Sequence, residues 1–151
     1  MLTELLSADR VRVPLTARSK DDVLSELLEA ALPRRGAAVH DAVLGSLRAR
    51  EDVLSTGIGD GVGIPHAKTP LVDRLILAAG VAAAPVDFDA LDGRPADLFF
   101  MLLGPENAAG AHVRALGRIS RLLRRETLRE ALRQAPDAVT FLRVVSESEA
   151  G

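Results

Sequence analysis

The sequence predicts an α/β (α+β) domain: one central mixed β-sheet flanked by α-helices. Leu75 to Ala83 and Ala96 to Leu103 are near-continuous apolar runs of strand length, the pattern of strands covered on both faces. Segments with apolar residues at helical spacing precede and follow them. The length of 151 residues suits one domain spanning 1–151, with room for a sizeable core. Strands interleaved with helices in this way place the sheet between helical layers.

In chain order, Leu2 to Leu6 is read as a short helix, and Val11 to Leu15 as a short alternating strand. Ser19 suits an N-cap, with Asp21 and Asp22 in the first turn. Val23, Leu24, Leu27, Leu28 and Ala31 then form a helical stripe that Pro33 ends. A second helix is expected from Val39 to Arg50, followed by a glycine-rich run whose last residues form a strand ending near His66. After the two apolar strands, which are separated by turn chemistry at 89–95, come helices over 109–123, 126–134 and 137–146.

Composition narrows the function classes. Apolar residues make up 48% and charged residues 26%, ordinary values for a globular chain. The four Phe, with no Tyr or Trp, leave little for stacking against single-stranded nucleic acid. A net charge of −2 provides no global basic field for nucleic acid or anionic lipid. Arg114, Arg118, Arg121, Arg124 and Arg125 are read as a solvated helix face. The absence of Cys excludes disulfides, thiolate metal sites and cysteine nucleophiles. Neither a signal peptide nor a membrane span is visible, so a cytoplasmic location is expected.

The most informative stretch is residues 55–68, Ser-Thr-Gly-Ile-Gly-Asp-Gly-Val-Gly-Ile-Pro-His-Ala-Lys. Its glycines do not match the dinucleotide fingerprint, since Val62 stands where a third glycine is needed, and no Gly-Lys-Ser/Thr follows. His40, His66 and His112 are too scattered to announce a metal site, and none is expected. On a strand, Asp60, Val62, Ile64 and His66 would share one face, while Gly61 and Gly63 would leave the other open to close approach.

Two helix stripes supply companions for His66. Val39, Val43, Leu47 and Arg50 fall at i, i+4, i+8 and i+11, which puts Arg50 at the end of an apolar face. His112, Leu116, Ile119 and Leu123 form a second stripe with the histidine in its first turn. Two imidazoles and a guanidinium would make an anion-binding nucleophilic site: neutral histidine carries one lone-pair nitrogen, and guanidinium suits phosphoryl oxygens. Ser55 and Thr56 hydroxyls or the glycine-run amides could add donors. A purely structural account has Arg50 complementing the carbonyl end of its helix and His112 as an edge-of-core residue. His40 is read as a surface residue, and Asp60 and Lys68 as solvated loop charges.

The 55–67 stretch resembles the phosphorylation-site signature of the type-2 enzyme IIA domains of the bacterial phosphotransferase system, the fructose/mannitol/nitrogen-regulatory family. The Arg48-Ala-Arg50-Glu51 segment, the stretch from Val86 to Leu103, and His112-Val113 followed by Leu116 are similar to the family in the same order. Ala67 stands where many members have Gly, and Arg114 adds a positive charge two residues after His112. The resemblance implies the type-2 IIA fold over the whole chain, His66 as phosphoryl acceptor, and His112 and Arg50 as phosphate supports. It further implies a phosphorylated HPr-type donor, a IIB domain or a regulatory target downstream, and no cofactor or metal. Such a chain is a transferase-class phosphohistidine carrier rather than a free-standing enzyme. With no IIB or membrane segment attached, a nitrogen-regulatory role is favoured over a sugar-transport IIA component. An interaction module without phosphorylation is the reading from another class. A histidine-dependent hydrolase ranks last, for want of a Ser or Cys nucleophile motif.

Overall fold

A computed structural model describes residues 1–150. Six strands form one mixed sheet: β1 (Val11–Leu15), β2 (Gly57–Gly59), β3 (Val62–Gly63), β4 (His66–Lys68), β5 (Ile76–Val86) and β6 (Ala96–Gly104). Five helices accompany it: α1 (Lys20–Ala31), α2 (Ala37–Val53), α3 (Ala109–Leu122), α4 (Glu126–Arg133) and α5 (Ala138–Ala150). The strand order is β1-β5-β6-β3-β2, and β4 also pairs with β6. β5 runs antiparallel to β6, whereas β3 and β4 run parallel to it one after the other.

The apolar runs became strands because both sheet faces are covered. Phe99, Met101 and Leu103 of β6 enter a core shared with α1 and α2. Leu98, Phe100 and Leu102 enter a second core shared with α3, α4 and α5. This alternation is the period-2 geometry of a strand with no wet face. Ser19 caps α1 by accepting from the Asp22 amide at 3.2 Å.

Several boundaries differ from the sequence expectation. The N-terminal helix is a single 3₁₀ turn, Leu2–Glu4, and α2 extends past the expected range at both ends. α5 also runs on to Ala150. The largest correction concerns the last residues of the glycine run, which do not form one strand ending near His66. Asp60 and Gly61, at φ 57° and 75°, form a tight turn between β2 and β3, the backbone that Asp-Gly favours in two-residue hairpins. Pro65 follows β3, and β4 begins at His66 rather than ending there. Asp60 therefore lies in the turn, exposed, with its carbonyl held by Arg133.

Glycine is required where β3 passes under aromatic rings. A Cβ on Gly63 would lie 2.9 Å from Phe99 Cδ1 and 3.2 Å from Phe88 Cε2. Gly45, within α2, has nothing within 4 Å of the equivalent position. Gly63→Ala is expected to destabilise by about 1–3 kcal/mol through overpacking. Gly45→Ala is expected to stabilise by roughly 0.5–1 kcal/mol through helix propensity. Urea midpoints of the two variants should move in opposite directions, and a shared direction would contradict the packing described.

Candidate active site

Parallel pairing sets the position of His66. β4 is registered so that His66 lies beside Leu102 and Ala67 beside Leu103. His66 is thus placed on the α3 side of the sheet, and Ala67 in the core under α2. The Leu102 amide donates to the Pro65 carbonyl at 3.0 Å, and the Thr69 amide to the Gly104 carbonyl at 2.9 Å, clamping both ends of β4.

β6 also delivers the second histidine. It ends at Gly104, and after the short Pro105–Ala108 connection α3 presents His112 in its first turn. A Cβ on Gly104 would stand 2.9 Å from His112 Nδ1, so a glycine is needed for the ring to lie against the strand end. The rings of His66 and His112 have centroids 5.8 Å apart at an interplanar angle of 55°.

A cavity of about 380 Å³ opens over the pair, lined by Ser46, Arg50, His66, Ala67, Lys68, His112, Val113 and Leu116. His66, His112 and Arg50, singled out from the sequence, all line it. Arg50 also carries out the structural role set against that reading: its guanidinium donates to the Leu54 carbonyl at 2.7 Å, at the end of α2. His40 lies elsewhere on α2, half-buried, with Nδ1 3.9 Å from Asp41.

Lys68, expected to be a solvated loop charge, is a strand residue on the cavity wall. The signal was available, since residues two apart on a strand share a face and Lys68 is two beyond His66. Ser46 was likewise legible one turn before Arg50 on α2. The hydroxyls of Ser55 and Thr56 do not line the cavity. Ser55 Oγ donates to the Phe88 carbonyl at 2.7 Å, and Thr56 Oγ1 donates to Glu51. Arg114 lines a separate hollow beside Met1 and Glu4, and the arginines at 118, 121, 124 and 125 are exposed, as expected of a solvated face.

The two imidazoles differ in their bonding. His66 Nδ1 lies 2.8 Å from the Ile64 carbonyl oxygen. A carbonyl only accepts, so Nδ1 carries the proton and Nε2 keeps its lone pair. Burial, reinforced by the charges of Arg50 and Lys68, holds the His66 pKa below the ordinary imidazole value; the Ile64 carbonyl and Glu51 oppose the shift. His112 is 2% exposed, and neither ring nitrogen has a hydrogen-bond partner among the described residues. Its pKa is pushed down to about 4 by burial, with smaller effects from His66 and Lys68. Both rings are therefore neutral at pH 7. An unpartnered buried polar group costs about 1–3 kcal/mol, so His112 is poorly explained by stability alone.

With this geometry in view, similarity to known proteins is decisive. Residues 4–148 match the family described as "Phosphoenolpyruvate-dependent sugar phosphotransferase system, EIIA 2". The chain belongs to this family. It is 39% identical over 152 residues to a nitrogen regulatory protein of Pseudomonas aeruginosa, covering 99% of this chain and 97% of that one. It is 35% identical over 153 residues to a PTS system fructose-specific EIIABC component of Bacillus subtilis. That match takes 98% of this chain but only 23% of the relative's length. The crystal structure of nitrogen regulatory protein IIA-Ntr from Neisseria meningitidis superposes with a TM-score of 0.88 at 31% identity, covering 95% of this chain and 98% of that one. The mixed sheet with flanking helices expected from the sequence is thus the fold of the EIIA 2 family. No helix among the described residues is long and apolar enough to cross a membrane.

Burial of neutral His112 has a defined pH signature. Its folded pKa, about 4, lies below the ordinary 6.5, so between these values the unfolded chain binds a proton that the folded chain refuses. Stability is unaffected by this group above pH 6.5 and falls as pH drops toward 4, by at most about 3 kcal/mol. His66 contributes with the same sign. His112→Gln should flatten the acid limb of stability measured by urea midpoint between pH 7 and pH 4, and an unchanged limb would exclude His112 as its source.

Proposed function

We propose that this chain, read as one domain over 1–151, is a phosphocarrier that accepts a phosphoryl group on His66 Nε2 from a phosphorylated HPr-type protein. The observation that carries this reading is the His66 Nδ1–Ile64 bond, which leaves Nε2 unprotonated in an open cavity beside Arg50, Lys68 and His112. In the transfer, the donor's P–N bond breaks as the P–Nε2 bond forms. The donor imidazole leaves with the bonding pair and takes up a proton, while the Nδ1–H of His66 stays on the Ile64 carbonyl. The phosphoryl charge is then met by the Arg50 guanidinium and the Lys68 ammonium, with His112 at its flank. Because the donor arrives with its high-energy bond already made, positioning and charge stabilisation suffice, without nucleotide or metal. Val113, 64% exposed on the cavity wall, offers apolar contact to a docking protein.

Downstream, the nitrogen-regulatory role is favoured by the similarity along nearly full length to nitrogen regulatory proteins. The sugar-transport role, donating to a IIB domain, is the second reading, supported by the match to part of a fructose-specific EIIABC component. Either role belongs in the cytoplasm, where a phosphorylated carrier would meet it.

Incubation with phosphoenolpyruvate, enzyme I and HPr, followed by intact mass, tests the carrier reading. The expected product carries one phosphoryl group, labile in acid and stable in base, and does not form with His66→Ala. A wild-type chain left unmodified by every HPr-type donor overturns it. His112→Ala is expected to accept phosphate but to exchange it roughly 100- to 1,000-fold more slowly, by analogy with removal of one charge-stabilising contact. An unaltered rate would return His112 to a structural role.

A further inference from the structure

Behind the cavity lies a buried polar cluster that the transfer chemistry does not use. Glu51, in the last turn of α2, is 7% exposed, an uncommon burial for a carboxylate. Lys20, the first residue of α1, places Nζ 2.8 Å from it. Thr56, also buried, donates its amide to both carboxylate oxygens at 3.1 and 3.3 Å, and its hydroxyl to the same group. Lys20 in turn sits over the Phe88 ring, 5.0 Å from its centroid.

This cluster does not end at Thr56. The Thr56 carbonyl accepts from the Ile64 amide at 3.0 Å, and the Ile64 carbonyl accepts from His66 Nδ1 at 2.8 Å. An unbroken line of contacts therefore runs from the Lys20 ammonium through Glu51, Thr56 and Ile64 to the imidazole. It crosses from the start of α1 and the end of α2 over the glycine hairpin to β4. Residues 57–63, between the two bonded segments, are short strands and a turn, and β6 holds one side of this stretch through the Gly61 carbonyl, the β3 ladder and the Pro65 carbonyl. Glu51 anchors the Thr56 end of that segment, on the side away from β6, one hydrogen bond from the Ile64 peptide.

We propose that Lys20, Glu51 and Thr56 are positioning residues that hold the Ile64 carbonyl in place, and through it keep the His66 proton on Nδ1 and the lone pair on Nε2. The inference rests on the reading of His66 as phosphoryl acceptor. The charge of Glu51 has a second effect: it favours protonation of His66, against Arg50 and Lys68, which oppose it. The relay acts through orientation, whereas Arg50 and Lys68 act on the phosphoryl charge itself.

The test has two readouts on the full chain. Nitrogen-15 NMR of the unphosphorylated imidazoles reports the His66 tautomer and needs no donor protein. Phosphoryl transfer from phospho-HPr, with kcat and KM separated, reports the consequence. The wild type should be predominantly the Nδ1–H tautomer. Glu51→Gln and Thr56→Val should populate the Nε2–H tautomer and lower kcat roughly 10- to 100-fold, the scale of a misplaced reacting group, with KM for the donor little changed. Thr56→Ser, which keeps the hydroxyl, should restore both. A folded Thr56→Val or Glu51→Gln with wild-type tautomer and kcat overturns the relay, as does a loss of thermal stability with no tautomer change. If Glu51→Gln does not fold, Thr56→Val, of nearly equal volume and with its amide intact, decides alone. Failure of phosphorylation in the wild type would overturn the carrier reading instead, and the tautomer measurement would still decide the relay.

Discussion

Strand β6 is the constraint on which the rest of the structure depends. It is hydrogen-bonded to β5 along one edge and to β3 and β4 in succession along the other, and it is buried on both faces from Leu98 to Leu103. A strand held from four directions has one register and one orientation, because a shift of one residue would exchange its two apolar faces. Both histidines inherit their positions from its C-terminal end. His66 comes by parallel pairing opposite Leu102, and His112 comes through Gly104 and the short connection into α3.

This arrangement accounts for the chemistry being at a sheet margin rather than in a deep pocket. Among the described residues β4 pairs with β6 alone, so its outer side opens between α2 and α3, and the cavity wall takes residues from both helical layers. Arg50 comes from the layer under one face and His112 from the layer over the other. Two imidazoles with centroids 5.8 Å apart, both with lowered pKa, are flanked by a guanidinium and an ammonium, which suits the proposed transfer of an anionic group. Among the described residues no group bonds the His112 nitrogens, which places a buried imidazole without protein partners at the site proposed for phosphoryl transfer.

Much of this was legible in the residues, for local reasons. The apolar runs at 75–83 and 96–103 could hardly be other than buried strands, and the stripes ending in Arg50 and beginning with His112 set the inward faces of α2 and α3. What was misread is instructive. The last residues of the glycine run read as a strand ending near His66 because alternation of glycine with Asp60, Val62 and Ile64 imitates a period of two. The Asp-Gly pair at 60–61 is a hairpin turn, and this distinction moved β4 downstream and hid Lys68. Ser55 and Thr56 looked like phosphate donors by proximity in sequence, yet their hydroxyls are bonded to the Phe88 carbonyl and to Glu51.

The sequence by itself determined the fold class, the helix faces and three of the residues that line the cavity, Arg50, His66 and His112, because hydrophobic periodicity and capping act over a few residues. Only the tertiary structure decided which nitrogen of His66 is free, that His112 lacks a partner, and that Glu51 lies behind the site rather than on a wet helix face. Each of these depends on a contact between segments distant along the chain, or on its absence. Long-range parallel pairing and the burial of single polar groups leave no periodic trace in the residues that take part.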